Sequence, residues 1–150
     1  QLLGMATMAV LGAALLASVA ATTAFTVASM HNYPGGVAME RLHALPLPDG
    51  VAAPRVHIAP EAAMTGVSRF CQQPGWSYSK AENLTLPEHF EAFDFLVTDS
   101  PAVHKAAFEV AETVPGFERL DVRHMRVVTK PALFVMRRRV GGGKEFDGMG

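Results

Sequence analysis

The residues best suited to chemistry lie in one short stretch, His31-Asn32-Tyr33-Pro34-Gly35-Gly36, with Arg41-Leu42-His43 shortly after it. Pro34 fixes its own backbone and restrains Tyr33 to extended conformations. Gly35 and Gly36 let the chain turn sharply and approach another segment closely. A tyrosine suits the head-group level of a bilayer. A tight turn at the water interface, leading into a helix that carries Arg41 and His43, can present hydrogen-bond donors to a sugar or a phosphate. The same residues also suit a plain membrane-exit turn.

Other groups carry weaker signals. The six histidines (His31, His43, His57, His89, His104 and His124) are scattered. No pair has i, i+4 spacing and no Cys/His cluster exists, so no metal site is expected. Cys71 is the single cysteine, which excludes an intrachain disulfide. It follows Arg69-Phe70, with little to activate it, and a packed thiol is expected. Glu88 and Glu91 read as a solvated face, and Asp94 and Asp99 as strand flanks, rather than as an acid–base pair. Asn83-Leu84-Thr85 is an N-glycosylation pattern with Asn83 as acceptor. Arg137-Arg138-Arg139 reads as a solvated strand end. Gly141-Gly142-Gly143-Lys144 lacks the remaining positions of a phosphate-binding loop. The net charge of −1 gives no basic face for nucleic acid.

These residues need elements to hold them. Residues 1–39 carry no formally charged side chain, and residues 1–30 are apolar or small. About 20 such residues cross a bilayer core as a helix. The run lacks a basic leader and exceeds a signal-peptide core, so a transmembrane helix is expected over 1–30. Gly4, Gly12, Ala13, Ala14 and Ser18 would let other membrane helices approach it closely. That composition points to further spans preceding residue 1. Residues 31–45 read as the exit turn and a short amphipathic helix from Val37 to Leu45, with Ala38, Leu42 and Leu45 on one face. Residues 46–54 are a Pro/Gly linker.

Residues 55–140 read as one small domain, and 141–150 as a disordered tail. Strands are expected at 55–59, 76–80, 93–98, 121–128 and 132–138. A helix is expected from Pro60 to about Phe70, interrupted at Thr65-Gly66. A second helix is expected from Ser100-Pro101, where Val103, Ala106, Ala107, Val110, Ala111 and Val114 keep helical spacing up to Pro115-Gly116. The fold class is therefore a membrane α-helix followed by a small α/β domain with a mixed, partly parallel sheet.

The run His31 to Met39, continuing to Arg41-Leu42-His43, resembles the C-terminal part of the dolichyl-phosphate-mannose-dependent α-1,6-mannosyltransferases of the endoplasmic reticulum. Thr65-Gly66-Val67-Ser68-Arg69-Phe70 resembles the same family in register, with Trp76 to Lys80 at a fitting distance beyond. The resemblance implies a multi-pass membrane enzyme with a lumenal C-terminal domain. It moves mannose, with inversion, from dolichyl phosphate mannose to a lipid-linked oligosaccharide in asparagine-linked glycosylation, adding the eighth mannose. It implies no cofactor and no metal. Its partners would be that donor, that acceptor, membrane lipid and the upstream helices of the same enzyme. The catalytic base would lie on an early lumenal loop, so no catalytic residue falls in these 150 residues, and a fragment of this kind is expected to be inactive alone.

On this view Pro34, Gly35 and Gly36 form the turn. Asn32, Tyr33, Arg41 and His43, with Thr65, Ser68 and Arg69 as a second patch, are the candidate substrate contacts. Arg41→Ala in a full-length enzyme would then lower transfer to a seven-mannose acceptor without loss of protein. The alternative is a membrane-anchored lumenal binding or scaffold module without catalysis. An anchored hydrolase is disfavoured, because no Gly-x-Ser-x-Gly elbow is present.

Overall fold

The computed structural model describes residues 2–67, 71–84, 86–124 and 126–139. The expected tail at 141–150 lies outside them, as do Ser68 and Arg69. The chain opens with helix α1, Leu2–Met30. Its 29 residues make a rod about 43 Å long, more than the ~30 Å of a bilayer core. Length and composition suffice to cross a membrane. Leu3, Val10, Leu16 and Phe25 are all exposed, so its sides lack protein cover.

Helix α2, Pro34–Ala44, starts three residues before the amphipathic stripe suggests, because Pro34 occupies its first turn. Strand β1 is Arg55–Ile58 and strand β3 is Phe95–Thr98, both within their expected ranges. Strand β2 is Ser77–Ser79, shorter than expected at each end. Helix α3 covers only Pro60–Ala63. The backbone then turns through Gly66, whose φ of 101° is a left-handed conformation that favours glycine.

The largest departure from expectation lies at 101–121. Helix α4 stops at His104, and strand β4 runs from Phe108 to Asp121. Strand β5, Arg126–Arg138, is its hairpin partner, and a 3₁₀ turn over Val122–His124 lies between them. The helix expected over 103–114 is thus mostly strand, and the strand expected over 121–128 contains the turn. The apolar stripe there fits two periods. Phe108, Val110 and Val114 are aromatic or β-branched and also alternate. Pairing with β5, which carries Val127, Val128, Thr129, Phe134 and Val135, decides between them, and Val103 is left exposed.

A bulge explains how one strand serves two layers. Val110 pairs with Met136, and Glu112 with Val135, so Ala111 is an extra residue on β4. One extra residue swaps faces. Phe108 consequently packs with Leu96 and Met136, whereas Val114 packs with Leu42, Val56 and Phe95 on the opposite side.

The sheet order is β2-β1-β3-β5-β4. The first three strands are parallel, and β5 is antiparallel to β3 and to β4. The expected mixed, partly parallel sheet is present. Helix α2 covers one face, burying Ala38, Met39 and Leu42 against Val56, Ile58, Phe95, Val97, Leu133 and Val135. Phe90, Phe93 and Phe108 cover part of the other. The arginine run is not a solvated strand end. Arg137 pairs with Glu109 at 2.8 Å, and Arg138 donates to the carbonyls of Phe93 (2.8 Å) and Phe90 while its guanidinium lies over the Phe108 ring. These bonds tie the loop before β3 to the end of β5.

Leu42 has no exposed surface and sits centrally between α2 and the sheet. Leu42→Ala is expected to lower the unfolding free energy by about 2–5 kcal/mol, measured by denaturant titration of the intact protein.

Candidate functional site

The exit segment is built by close backbone approach. The Gly35 N–H, one of the free donors in the first turn of α2, donates to the carbonyl of Thr65 at 2.8 Å. A Cβ on Gly35 would sit 2.7 Å from that oxygen and 2.9 Å from the Val67 nitrogen. Across the same contact, Gly66 lies against Tyr33, where a Cβ would come within 3.2 Å of the Tyr33 Cβ. The end of α1 is tied to the hairpin as well, since the Phe117 N–H donates to the His31 carbonyl at 2.9 Å. Gly36, by contrast, faces open space. The two stretches that carry the family resemblance, 31–43 and 65–67, are therefore in direct contact.

The structure separates the remaining candidates into two groups. Arg41 donates to the Thr113 carbonyl at 2.7 Å and lies 3.4 Å from the Glu112 carboxylate. His43 Nε2 shares a 2.7 Å hydrogen bond with the Tyr78 hydroxyl, and its ring meets Trp76 edge-on at 5.0 Å. The Gln73 N–H donates to the same hydroxyl at 3.1 Å, leaving the tyrosine proton for a neutral His43. Burial lowers the His43 pKa in agreement with that arrangement. The Thr65 hydroxyl donates to the Ala62 carbonyl at 2.8 Å. Arg41, His43 and Thr65 thus hold α2 and its neighbours. Asn32 and Tyr33 are exposed, and among the described residues neither side chain has a hydrogen-bond partner.

Two concavities flank this frame. An apolar cleft of about 530 Å³ lies between the last third of α1 (Ala20, Ala24, Val27) and the hairpin tip (Leu120, Val122, Val127). A polar pocket of about 310 Å³ opens at the carboxyl ends of β1 and β3, on the face away from α2. Its lining includes His57, Thr98, Asp99, Ser100 and His104, together with Glu61 and Glu82. Such crevices are where open α/β sheets place ligands. Individual residues gave no sign of this pocket, because His57 and His104 meet only through the parallel pairing of β1 with β3. Alternation along 55–59 is the signal that could have found it, since it aims His57 away from Val56 and Ile58.

A protein of Arabidopsis thaliana, 38% identical over 71% of this chain, is named Dol-P-Man:Man(7)GlcNAc(2)-PP-Dol alpha-1,6-mannosyltransferase. Proteins of Drosophila melanogaster (32% identical over 89% of the chain) and Saccharomyces cerevisiae (34% over 68%) bear the same name. The chain is a homologue of part of these α-1,6-mannosyltransferases. It spans about a fifth of their length: 22% of the plant and fly proteins and 19% of the yeast one. No family model matches it, and no solved structure does. The resemblance drawn from the motifs at 31–43 and 65–70 agrees with these mannosyltransferase relatives.

Two outcomes follow from the geometry. Gly35→Ala is expected to destabilise the domain by about 1–3 kcal/mol, because the neighbour is backbone and the buried donor loses its partner. Gly36→Ala is expected to be neutral or slightly stabilising, since a helical position facing open space accepts a methyl group. Paired melting curves of the two variants check both.

Acid sensitivity follows from the histidines. Burial lowers the pKa of His43, His57 and His104 below 6.5, and His57 is lowered further by the charge of His104. A depressed histidine pKa means the unfolded chain binds more protons as pH falls through about 6.5. Stability contributed by the neutral rings is therefore complete above that value and is lost below it. The melting temperature should hold level from pH 8 to about 7 and fall between about 6.5 and 5. His57→Leu should flatten the fall.

Proposed function

We propose that this chain is the last membrane helix and lumenal cap of a multi-pass α-1,6-mannosyltransferase of the endoplasmic reticulum. That enzyme would move mannose from dolichyl phosphate mannose to a seven-mannose lipid-linked oligosaccharide. The observation that carries the reading is the contact between the two resembling stretches. Helix α1, the exit turn and the 65–67 loop are locked together where an apolar rod meets a polar domain. Exposed apolar side chains all along α1 support burial in lipid or against other helices. The small residues of α1 suit the second of these.

Within this reading the turn lies at 31–33 rather than at Pro34, Gly35 and Gly36, which begin α2; Pro34 and Gly35 set how α2 starts, and Arg41, His43 and Thr65 hold it. Asn32 and Tyr33 are the contacts that reach substrate, an amide and a phenol at the level where a polyprenyl phosphate meets water. The apolar cleft beside α1 suits a lipid chain. No proton-transfer role falls to these residues. Their contribution is to bind and orient, with the base supplied by the rest of the enzyme.

Mannose transfer by the full-length enzyme, from dolichyl phosphate mannose to the seven-mannose acceptor, tests this. Asn32→Ala and Tyr33→Ala should each lower transfer about 3- to 10-fold, the worth of a hydrogen bond or two, with an unchanged melting temperature. Wild-type levels in both would remove them as contacts, and no transfer by the wild-type enzyme would overturn the reading. Arg41→Ala should lower transfer and melting temperature together, because its guanidinium also joins α2 to β4.

Sidedness has its own check. Asn83 is exposed, as a lumenal glycan acceptor must be. The wild-type protein should lose apparent mass on endoglycosidase treatment, by a step absent from Asn83→Gln.

A further inference from the structure

We propose that the pocket at the carboxyl ends of β1 and β3, lined by none of residues 31–43, binds a neutral sugar residue. His57 is 4% exposed, and its Nδ1 has no hydrogen-bond partner. A buried polar atom left unpaired costs about 1–3 kcal/mol, so its presence at the wall of a cavity points to something that pairs with it when bound. The side chains of Glu61, Glu82, Asp99, Ser100 and His104 also make no hydrogen bond among the described residues. Thr98 alone of the polar group is engaged, accepting the Ser100 N–H at 3.1 Å.

Charge decides what this set can hold. Three carboxylates face a cavity whose two histidines are held neutral, so an anion such as phosphate is repelled. A metal ion is disfavoured because no three His, Cys, Asp or Glu side chains among the described residues converge to hold one. What remains is an uncharged ligand rich in hydroxyl groups. Carboxylates accept from hydroxyls, and a neutral imidazole both donates and accepts. Leu84, Phe90 and Val103 supply an apolar wall. A hexose matches this combination, with hydroxyls on its rim and C–H bonds on its faces. About 310 Å³ is room for one such unit rather than a long chain.

Two sources could deliver that sugar. One is an outer branch of the acceptor oligosaccharide, which rests on the function proposed above. The other is a glycan on Asn83, which lies between the lining residues Glu82 and Leu84.

The test uses purified full-length protein in a sugar-free detergent. Saturation-transfer NMR with methyl α-mannoside should show transfer to the ring protons, reduced at least about fivefold in Asp99→Ala and in Glu82→Ala. Both residues are exposed, so both variants should keep the wild-type melting temperature. Inorganic phosphate at the same concentration should not compete. Absence of a signal, an unchanged signal in both variants, or competition by phosphate would overturn the proposal.

Asn83→Gln separates the sources. A stronger signal in that variant means the chain's own glycan fills the pocket. An equal signal, with a KM for the lipid-linked acceptor raised in Glu82→Ala but kcat unchanged, assigns the pocket to the acceptor. Binding of the mannoside by a protein that transfers no mannose would leave the pocket standing and remove the transferase reading.

Discussion

One backbone hydrogen bond, from the Gly35 N–H to the Thr65 carbonyl, sets how closely the segment after α1 meets the domain. The bond forms only because a hydrogen replaces a side chain at Gly35, and because Gly66 takes a left-handed turn against Tyr33. Much of the fold is referenced to that contact. It fixes the start of α2, and α2 covers the sheet face bearing Val56, Phe95 and Val135. It also fixes the direction in which α1 leaves, with the His31 carbonyl bonded to β4 at Phe117. A rod about 43 Å long would otherwise pivot freely on a polar hinge. Joined at two separate points of the domain, it has a defined angle.

The sheet then divides into halves with different duties. Its parallel half, β2-β1-β3, is short and ends in loops that form the polar pocket. Its antiparallel half is a long hairpin that extends beyond β3 toward α1. The Ala111 bulge lets both halves share one sheet, because it switches β4 from the Phe108 side to the α2 side partway along. Past the end of β3 the ribbon has only two strands, and it tolerates the facing pair Pro115 and Pro131. The pairing continues past these prolines to Asp121 opposite Arg126, which carries the hairpin tip to the apolar helix.

Sequence reasoning succeeded where a local rule had no rival. The uncharged run over 1–30 forms one helix and the dense apolar run at 95–98 a strand, each as its composition predicts, whereas Pro34 opens α2 rather than a turn. It failed at 103–114, where apolar residues satisfied helical spacing and alternation together, and pairing with the following strand β5 decided between them. The candidate site was half legible. Pro34 and Gly35 declare a constrained, closely approached backbone in the sequence itself, whereas Gly36 lies in α2 facing open space. Which of Asn32, Tyr33, Arg41 and His43 stay unengaged was not legible, because Thr113 and Tyr78, the partners that occupy Arg41 and His43, come from distant strands. The polar pocket was invisible for the same reason, its residues being gathered from β1, β3 and the loops after them.

That distribution of partners has a consequence for how the domain works. On the α2 side Arg41, His43 and Thr65 are engaged within the chain, and the Lys80 ammonium donates to the Val67 carbonyl at 2.9 Å. Side chains paired in this way gain stability and are not free to bind anything else. On the opposite face, a small domain with a modest core leaves a buried imidazole unpaired and several carboxylates unengaged. Stability alone would favour an apolar residue at position 57, since replacing a buried unpaired polar group by an apolar one of similar shape removes its desolvation cost. With the pocket as proposed, the unpaired histidine is where the domain trades stability for binding.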